Sequence, residues 1–134
     1  MAHNGDRSVL VVEDDQEINS LVGAYAELCG FTYRPALNGR RAIEEAHAHT
    51  PALVVLDLML PDLDGFEVCK QLKADRQTRD IPVIMLTALS GEQDRARGRA
   101  CGAEDYLTKP FNPDQLMQSI AQHARRNGDA AKRD

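Results

Sequence analysis

The chain of 134 residues contains no tryptophan, and its three tyrosines and three phenylalanines make up only 4% of it. A basic stripe interleaved with aromatics, the usual footprint of a nucleic-acid surface, is therefore missing, and direct nucleic-acid binding by this domain is not expected. Cysteine is scarce as well. Cys29, Cys69 and Cys101 are odd in number and lack CxxC spacing. That argues against a disulfide framework or zinc site and for reduced, partly buried thiols in the cytosol. No apolar run approaches the roughly 18 residues that span a bilayer. The N-terminal stretch Met1–Ser8 is polar rather than signal-like, so the expectation is a cytoplasmic protein with no membrane contact.

What is present suits one globular domain: 43% hydrophobic residues and 28% charged, on a chain long enough to bury one good core. The formal charge of −5 is unevenly spread. Residues 1–67 carry 12 acids and 4 bases, whereas residues 68–134 carry 9 acids and 12 bases. The asymmetry fits an acidic pocket that binds a cation; solvated surface charge fits it too.

Strand-like and helix-like patterns alternate along the chain. Ser8–Val12 is a short β-branched run. Ile18, Leu21, Val22, Tyr25 and Leu28 then recur at helical spacing until Gly30. Phe31–Ala36 suits a strand, and Asn38 caps a helix over Gly39–His49. Ala52–Leu58 is almost wholly apolar, as a strand covered on both faces should be. A helix over Gly65–Ala74, a strand over Ile81–Thr87, a weaker helix over Glu92–Cys101 with Gly98 inside it, a short strand at Tyr106–Thr108 and a last helix over Asn112–Arg126 complete the pattern. Five βα units imply an α/β fold, a doubly wound parallel sheet between helices. Ligands of such sheets bind beyond the carboxyl ends of the strands. The expected domain spans 8–126, with a disordered segment at 1–7 and a flexible tail at 127–134.

The carboxyl ends of the predicted strands carry Glu13-Asp14-Asp15, Asp57, Thr87 and Lys109. Each residue alone has an ordinary explanation. Acids after a strand favour a helix N-terminus, a lone Asp ends a strand, and a Lys before Pro110 sits in a turn. Together on one sheet edge they make a phosphoryl-transfer kit. Crowded carboxylates repel unless a cation neutralises them, hard oxygen ligands favour Mg²⁺, a carboxylate serves as nucleophile, and a lysine and a hydroxyl receive the phosphoryl oxygens.

The blocks VVEDD, LDLMLPDLDG, PVIMLTA and GAEDYLTKPF resemble the four signature segments of bacterial response-regulator receiver domains, from Ser8 to Arg126. The spacings agree, with 43 residues from Asp14 to Asp57, 30 from Asp57 to Thr87 and 52 from Asp57 to Lys109. The resemblance implies a flavodoxin-like fold with strand order 2-1-3-4-5. It implies that Asp57 is the phosphoacceptor and that Asp14, Asp57 and the Met59 backbone carbonyl hold Mg²⁺, with Glu13 acting through water. Asp15 falls outside the acidic pair. Thr87 and Lys109 match the phosphate contacts, the Lys109–Pro110 bond is expected to be cis, and Tyr106 matches the aromatic that follows Thr87 inward. Pro61, Asp64 and Gly65 form the loop after the acceptor, with Gly65 assigned to the turn. A sensor histidine kinase or phosphotransfer protein is the implied phosphodonor.

TRDIPVIMLTA and GAEDYLTKPF are most similar to receivers that precede winged-helix DNA-binding domains. In that group the fourth helix, last strand and last helix form a charged dimer face, through which an output domain or effector is reached. Arg95, Glu104 and Asp105 fit the face, but Gln115 and Ser119 stand where the group usually has an acid and an arginine. A monomer or a weak phosphorylation-dependent dimer is expected. An aspartate-nucleophile phosphatase of the haloacid-dehalogenase type needs an acid two residues after the nucleophile, and Met59 stands there. A receiver-like binding module that works without phosphate is disfavoured because acceptor, acids and lysine are all kept.

Overall fold

A computed structural model describes residues 6–125. Arg126, the tail at 127–134 and residues 1–5 lie outside the described residues. Of the N-terminal segment, Asp6 pairs with Arg34 at 2.9 Å, and the Arg7 guanidinium stacks 4.7 Å over the Phe31 ring.

The elements are β1 (Ser8–Val12), α1 (Gln16–Leu28), β2 (Thr32–Ala36), α2 (Gly39–His49), β3 (Leu53–Leu56), α3 (Gly65–Ala74), β4 (Val83–Thr87), α4 (Glu92–Ala100), β5 (Asp105–Thr108) and α5 (Pro113–His123). The five strands form one parallel sheet in the order β2-β1-β3-β4-β5, the expected flavodoxin-like arrangement. Successive strand residues point to opposite faces, and each face is covered. Leu10, Val12, Val54 and Leu56 pack with Ala42, Ala46, Val68 and Leu72 of α2 and α3. Val9, Val11, Val55 and Ile84 pack with Val22, Ala26, Leu116 and Ile120 of α1 and α5. That is why the central strands are apolar throughout instead of alternating. Among the described residues no helix is long and apolar enough to cross a membrane.

Local chemistry sets the helix ends. Asp15, Asn38, Asp64 and Asn112 each accept a backbone N–H of the first turn of their helix, as N-cap residues do. Gly30 and Gly102, at φ 94° and 98°, follow α1 and α4, where a side chain would be strained. Three predicted strands are trimmed, the second losing only Phe31. The third ends at Leu56, whose partners Val12 and Met85 close the ladders, so Asp57 lies just beyond the strand and not inside it. The fourth starts at Val83, because Pro82 has no N–H to give and joins only through its carbonyl, which accepts from Val54 at 2.9 Å. The last helix stops at His123, short of the predicted Arg126.

Candidate phosphoacceptor site

Parallel strands carry their carboxyl ends to one edge, and the predicted residues meet there. Glu13 follows β1 and Asp57 follows β3; they are only 4% and 6% exposed. Lys109, just after β5, reaches across β4 to both. Its Nζ lies 3.0 Å from Asp57 Oδ2 and also donates to Glu13 Oε1. The outer oxygens are held by backbone: Glu13 Oε2 accepts the Asp15 N–H at 3.0 Å, and Asp57 Oδ1 accepts the Met59 N–H at 3.2 Å. Asp14 stands on the exposed rim, and one oxygen each from Glu13, Asp14 and Asp57 lies within 4.8 Å of the others.

Burying two carboxylates side by side demands a positive charge. Burial, reinforced by the Asp57 charge, raises the Glu13 pKa against the pull of the Lys109 hydrogen bond. For Lys109, burial alone would lower the pKa, but its hydrogen bonds to Glu13 and Asp57 outweigh it and the ammonium is stabilised. Three converging carboxylate oxygens, one of them open to water, also form a donor set suited to a hard divalent cation.

The loop after the acceptor is shaped by short contacts. Met59 and Asp64 form an isolated antiparallel bridge, Asp64 caps α3, and the Gly65 N–H donates to Leu58 O at 3.0 Å. The assignment of Gly65 to the turn needs correction. Its φ is not positive, and a Cβ there would stand 2.6 Å from the Asp57 carbonyl oxygen and 2.5 Å from Leu58 Cα. Glycine is needed so that α3 can seat directly on the backbone of Asp57. Met59, the position at which a haloacid-dehalogenase phosphatase needs its second acid, is 58% exposed.

Thr87 ends β4 fully buried, and its carbonyl accepts the Lys109 N–H at 2.9 Å. The Lys109–Pro110 bond is cis, as expected. Thr87 Oγ1 accepts the Leu89 N–H at 3.3 Å, and the Leu89 carbonyl accepts the Tyr106 hydroxyl at 2.6 Å. Leu89 thus joins the two residues through its backbone, a link no side-chain pattern could disclose. Tyr106 is half-buried under the Arg95 guanidinium, 5.2 Å from its ring centroid. A Cβ on Gly98 would stand 3.0 Å from Tyr106 Cδ2 and 2.9 Å from Met85 Sδ, so this glycine lets α4 approach the tyrosine.

The expected charged face around α4, β5 and α5 is altered. Glu104 lies beside Arg95 and Arg99 of that face, but its carboxylate accepts the Val83 N–H at 2.8 Å and pairs with Lys73 of α3 at 3.2 Å. Asp105 accepts the Ser119 hydroxyl at 2.6 Å and lies 3.7 Å from His123 Nε2, so its carboxylate is already engaged within the chain.

Residues 9–121 match the family model described as the response regulator receiver domain. The chain belongs to that family. This receiver is 42% identical over 118 residues to the DNA-binding dual master transcriptional regulator RpaA of Synechocystis, covering 88% of the chain and 49% of RpaA. It is 43% identical over 120 residues to the phosphate regulon transcriptional regulatory protein PhoB of Escherichia coli, covering 90% and 52%. The chain spans about half the length of the curated relatives it matches. Among solved structures, it superposes with a TM-score of 0.82 on the signal receiver domain of a DNA binding response regulator protein from Colwellia psychrerythraea. That match has 33% identity and covers 87% of this chain and 97% of that one. As a response regulator receiver domain, it is a signalling domain of two-component systems.

Proposed function

We propose that this receiver accepts a phosphoryl group on Asp57 from a phosphohistidine of a sensor kinase or phosphotransfer protein, with Mg²⁺ held by Glu13, Asp14, Asp57 and the Met59 carbonyl. The observation that carries the proposal is the sharing of one ammonium, that of Lys109, by the two buried carboxylates of Glu13 and Asp57. A carboxylate oxygen of Asp57 attacks phosphorus, the phosphorus–nitrogen bond breaks, and its electron pair leaves with the imidazole. Bound Mg²⁺ supplies neutralisation of the transferring oxygens. Lys109, released from Asp57 Oδ2, turns its hydrogen bond to a phosphoryl oxygen, and the Thr87 hydroxyl donates to another.

Engagement of Thr87 changes the acceptor of the Leu89 N–H, and with it the carbonyl that holds Tyr106. A ligand shifts such an equilibrium only by the difference in its interactions with the two states. Here that difference enters at Thr87 and emerges at the face of α4, β5 and α5, where an output domain or effector is controlled. The transcriptional regulators among the relatives support an output of that class.

The test is intact-mass analysis after incubation with acetyl phosphate and Mg²⁺. One labile phosphoryl group is expected on the wild type, and none on Asp57→Asn or after chelation by EDTA. Full labelling of Asp57→Asn would reject the assignment.

A further inference from the structure

Asn19, on the inner stripe of α1, is 1% exposed, an unusual place for a side-chain amide unless all its polar atoms find partners. Its Nδ2 donates to three backbone carbonyls, of Val11 at 3.0 Å, Glu13 at 2.9 Å and Ala36 at 3.3 Å. Its Oδ1 accepts the Tyr33 hydroxyl. The amide orientation follows from this set, since a flipped group would put oxygen against three carbonyl oxygens.

The Glu13 carbonyl belongs to the peptide that links Glu13 to Asp14. The β1–β2 ladder ends one residue earlier, at the pair Val12 and Ala36, and the Glu13 N–H donates to the Ala36 carbonyl at 3.1 Å. Beyond that point the chain leaves the sheet, and Asn19 grips it on the carbonyl side. Tyr33, whose ring fits only because residue 23 is glycine, holds Asn19 in turn.

We infer that Asn19 is a positioning residue for the cation site: by fixing the Glu13–Asp14 peptide plane it aims both carboxylates at the point faced by Asp57. The inference rests on the Mg²⁺-dependent function proposed above. Leucine, of similar size, would take the amide donor from all three carbonyls and the acceptor from the Tyr33 hydroxyl, and serine is too short to reach all of them. Outer groups that orient metal ligands typically contribute about 10- to 100-fold in affinity.

The experiment is calorimetric titration of the chain with Mg²⁺, beside urea unfolding of each variant. Asn19→Leu is expected to bind Mg²⁺ about tenfold more weakly than the wild type. Ile81→Ala, a buried change at the opposite end of the sheet, is expected to lose stability but keep wild-type affinity. Tyr33→Phe, which spares all three Nδ2 bonds, should lose less affinity than Asn19→Leu. If Asn19→Leu does not fold, Asn19→Ser takes its place with the same expected direction. Wild-type affinity in the folded Asn19 variant would overturn the inference, as would an equal loss in Ile81→Ala, because affinity would then merely follow stability. Absence of Mg²⁺ binding by the wild type would instead reject the cation site itself, and the inference with it.

Discussion

Every residue of β1, β3 and β4 is buried, whereas β5 is only half-buried along its whole length. The helices differ in the same way. Helix α3 buries Gly65, Phe66, Val68, Cys69 and Leu72, but α4 buries Gly98 alone and carries Arg95, Arg97 and Arg99. Two of those arginines attach α4 through ring faces, Arg97 at 4.1 Å over Phe66 and Arg95 over Tyr106. Such contacts are worth about 0.5–1 kcal/mol at exposed sites, against about 2–5 kcal/mol for a buried leucine truncated to alanine. Glu13, Asp57 and Thr87 are therefore mounted on the part of the sheet that resists displacement, and Lys109 reaches them from its less buried edge. The face of α4, β5 and α5, proposed above as the one that reports phosphorylation, lies where a shift of α4 would give up little burial.

The largest expected effect probes the rigid half. Leu56→Ala should cost about 2–5 kcal/mol in urea unfolding, because the cavity would open between the sheet and α3. A loss as small as that of a surface change would erase the contrast between the two halves of the sheet. Gly98→Ala sharpens it from the other side. Alanine favours the helix by about 1 kcal/mol, but its Cβ collides with Met85 and Tyr106. The net stability change should stay within about 1 kcal/mol, while the NMR signals of the Tyr106 ring shift strongly. Unchanged Tyr106 signals would show that Gly98 does not set the seat of the tyrosine.

A smaller effect comes from the clamp between α2 and α3. His47 faces the Ile43 carbonyl at 2.9 Å with Nδ1 and Asp75 Oδ2 at 2.8 Å with Nε2. These two bonds, the backbone one first, raise its pKa, because only the imidazolium donates on both sides. The contribution of a group with a raised pKa is complete below its unfolded value and fades as pH rises through the folded one. The stability difference between wild type and Asp75→Asn should therefore shrink between about pH 6 and 8. A difference that grows over that window would assign His47 the neutral state.

The smallest effect concerns self-association. With Asp105 engaged by Ser119 and His123, Glu104 paired with Lys73, and an amide at Gln115, the outer face has few free carboxylates to meet the arginines of a second copy. Sedimentation of the beryllofluoride-treated chain should show at most a weak dimer, nearly insensitive to salt. A tight dimer that salt dissolves would mean that Asp105 exchanges its internal partners for external ones.

Sequence alone determined the five βα units, their order of appearance and the chemistry of the acidic edge. These follow from local rules: apolar period, N-cap oxygens at Asp15, Asn38, Asp64 and Asn112, and the obligation of parallel strands to end on one side. It could not decide partners far apart in the chain. Asn19 reads locally as one polar residue in an apolar stripe, which hints at a buried amide but not at the three carbonyls it grips. Gly65 and Gly98 read as a turn and a weak spot, because nothing local reveals which backbone or ring will lie against them. Glu104 and Asp105 are neighbours with the same charge, yet one turns to Val83 and Lys73 and the other to Ser119 and His123. Glu104 lies just before β5 and Asp105 is its first residue, and only the elements packed on either side decide what each carboxylate meets.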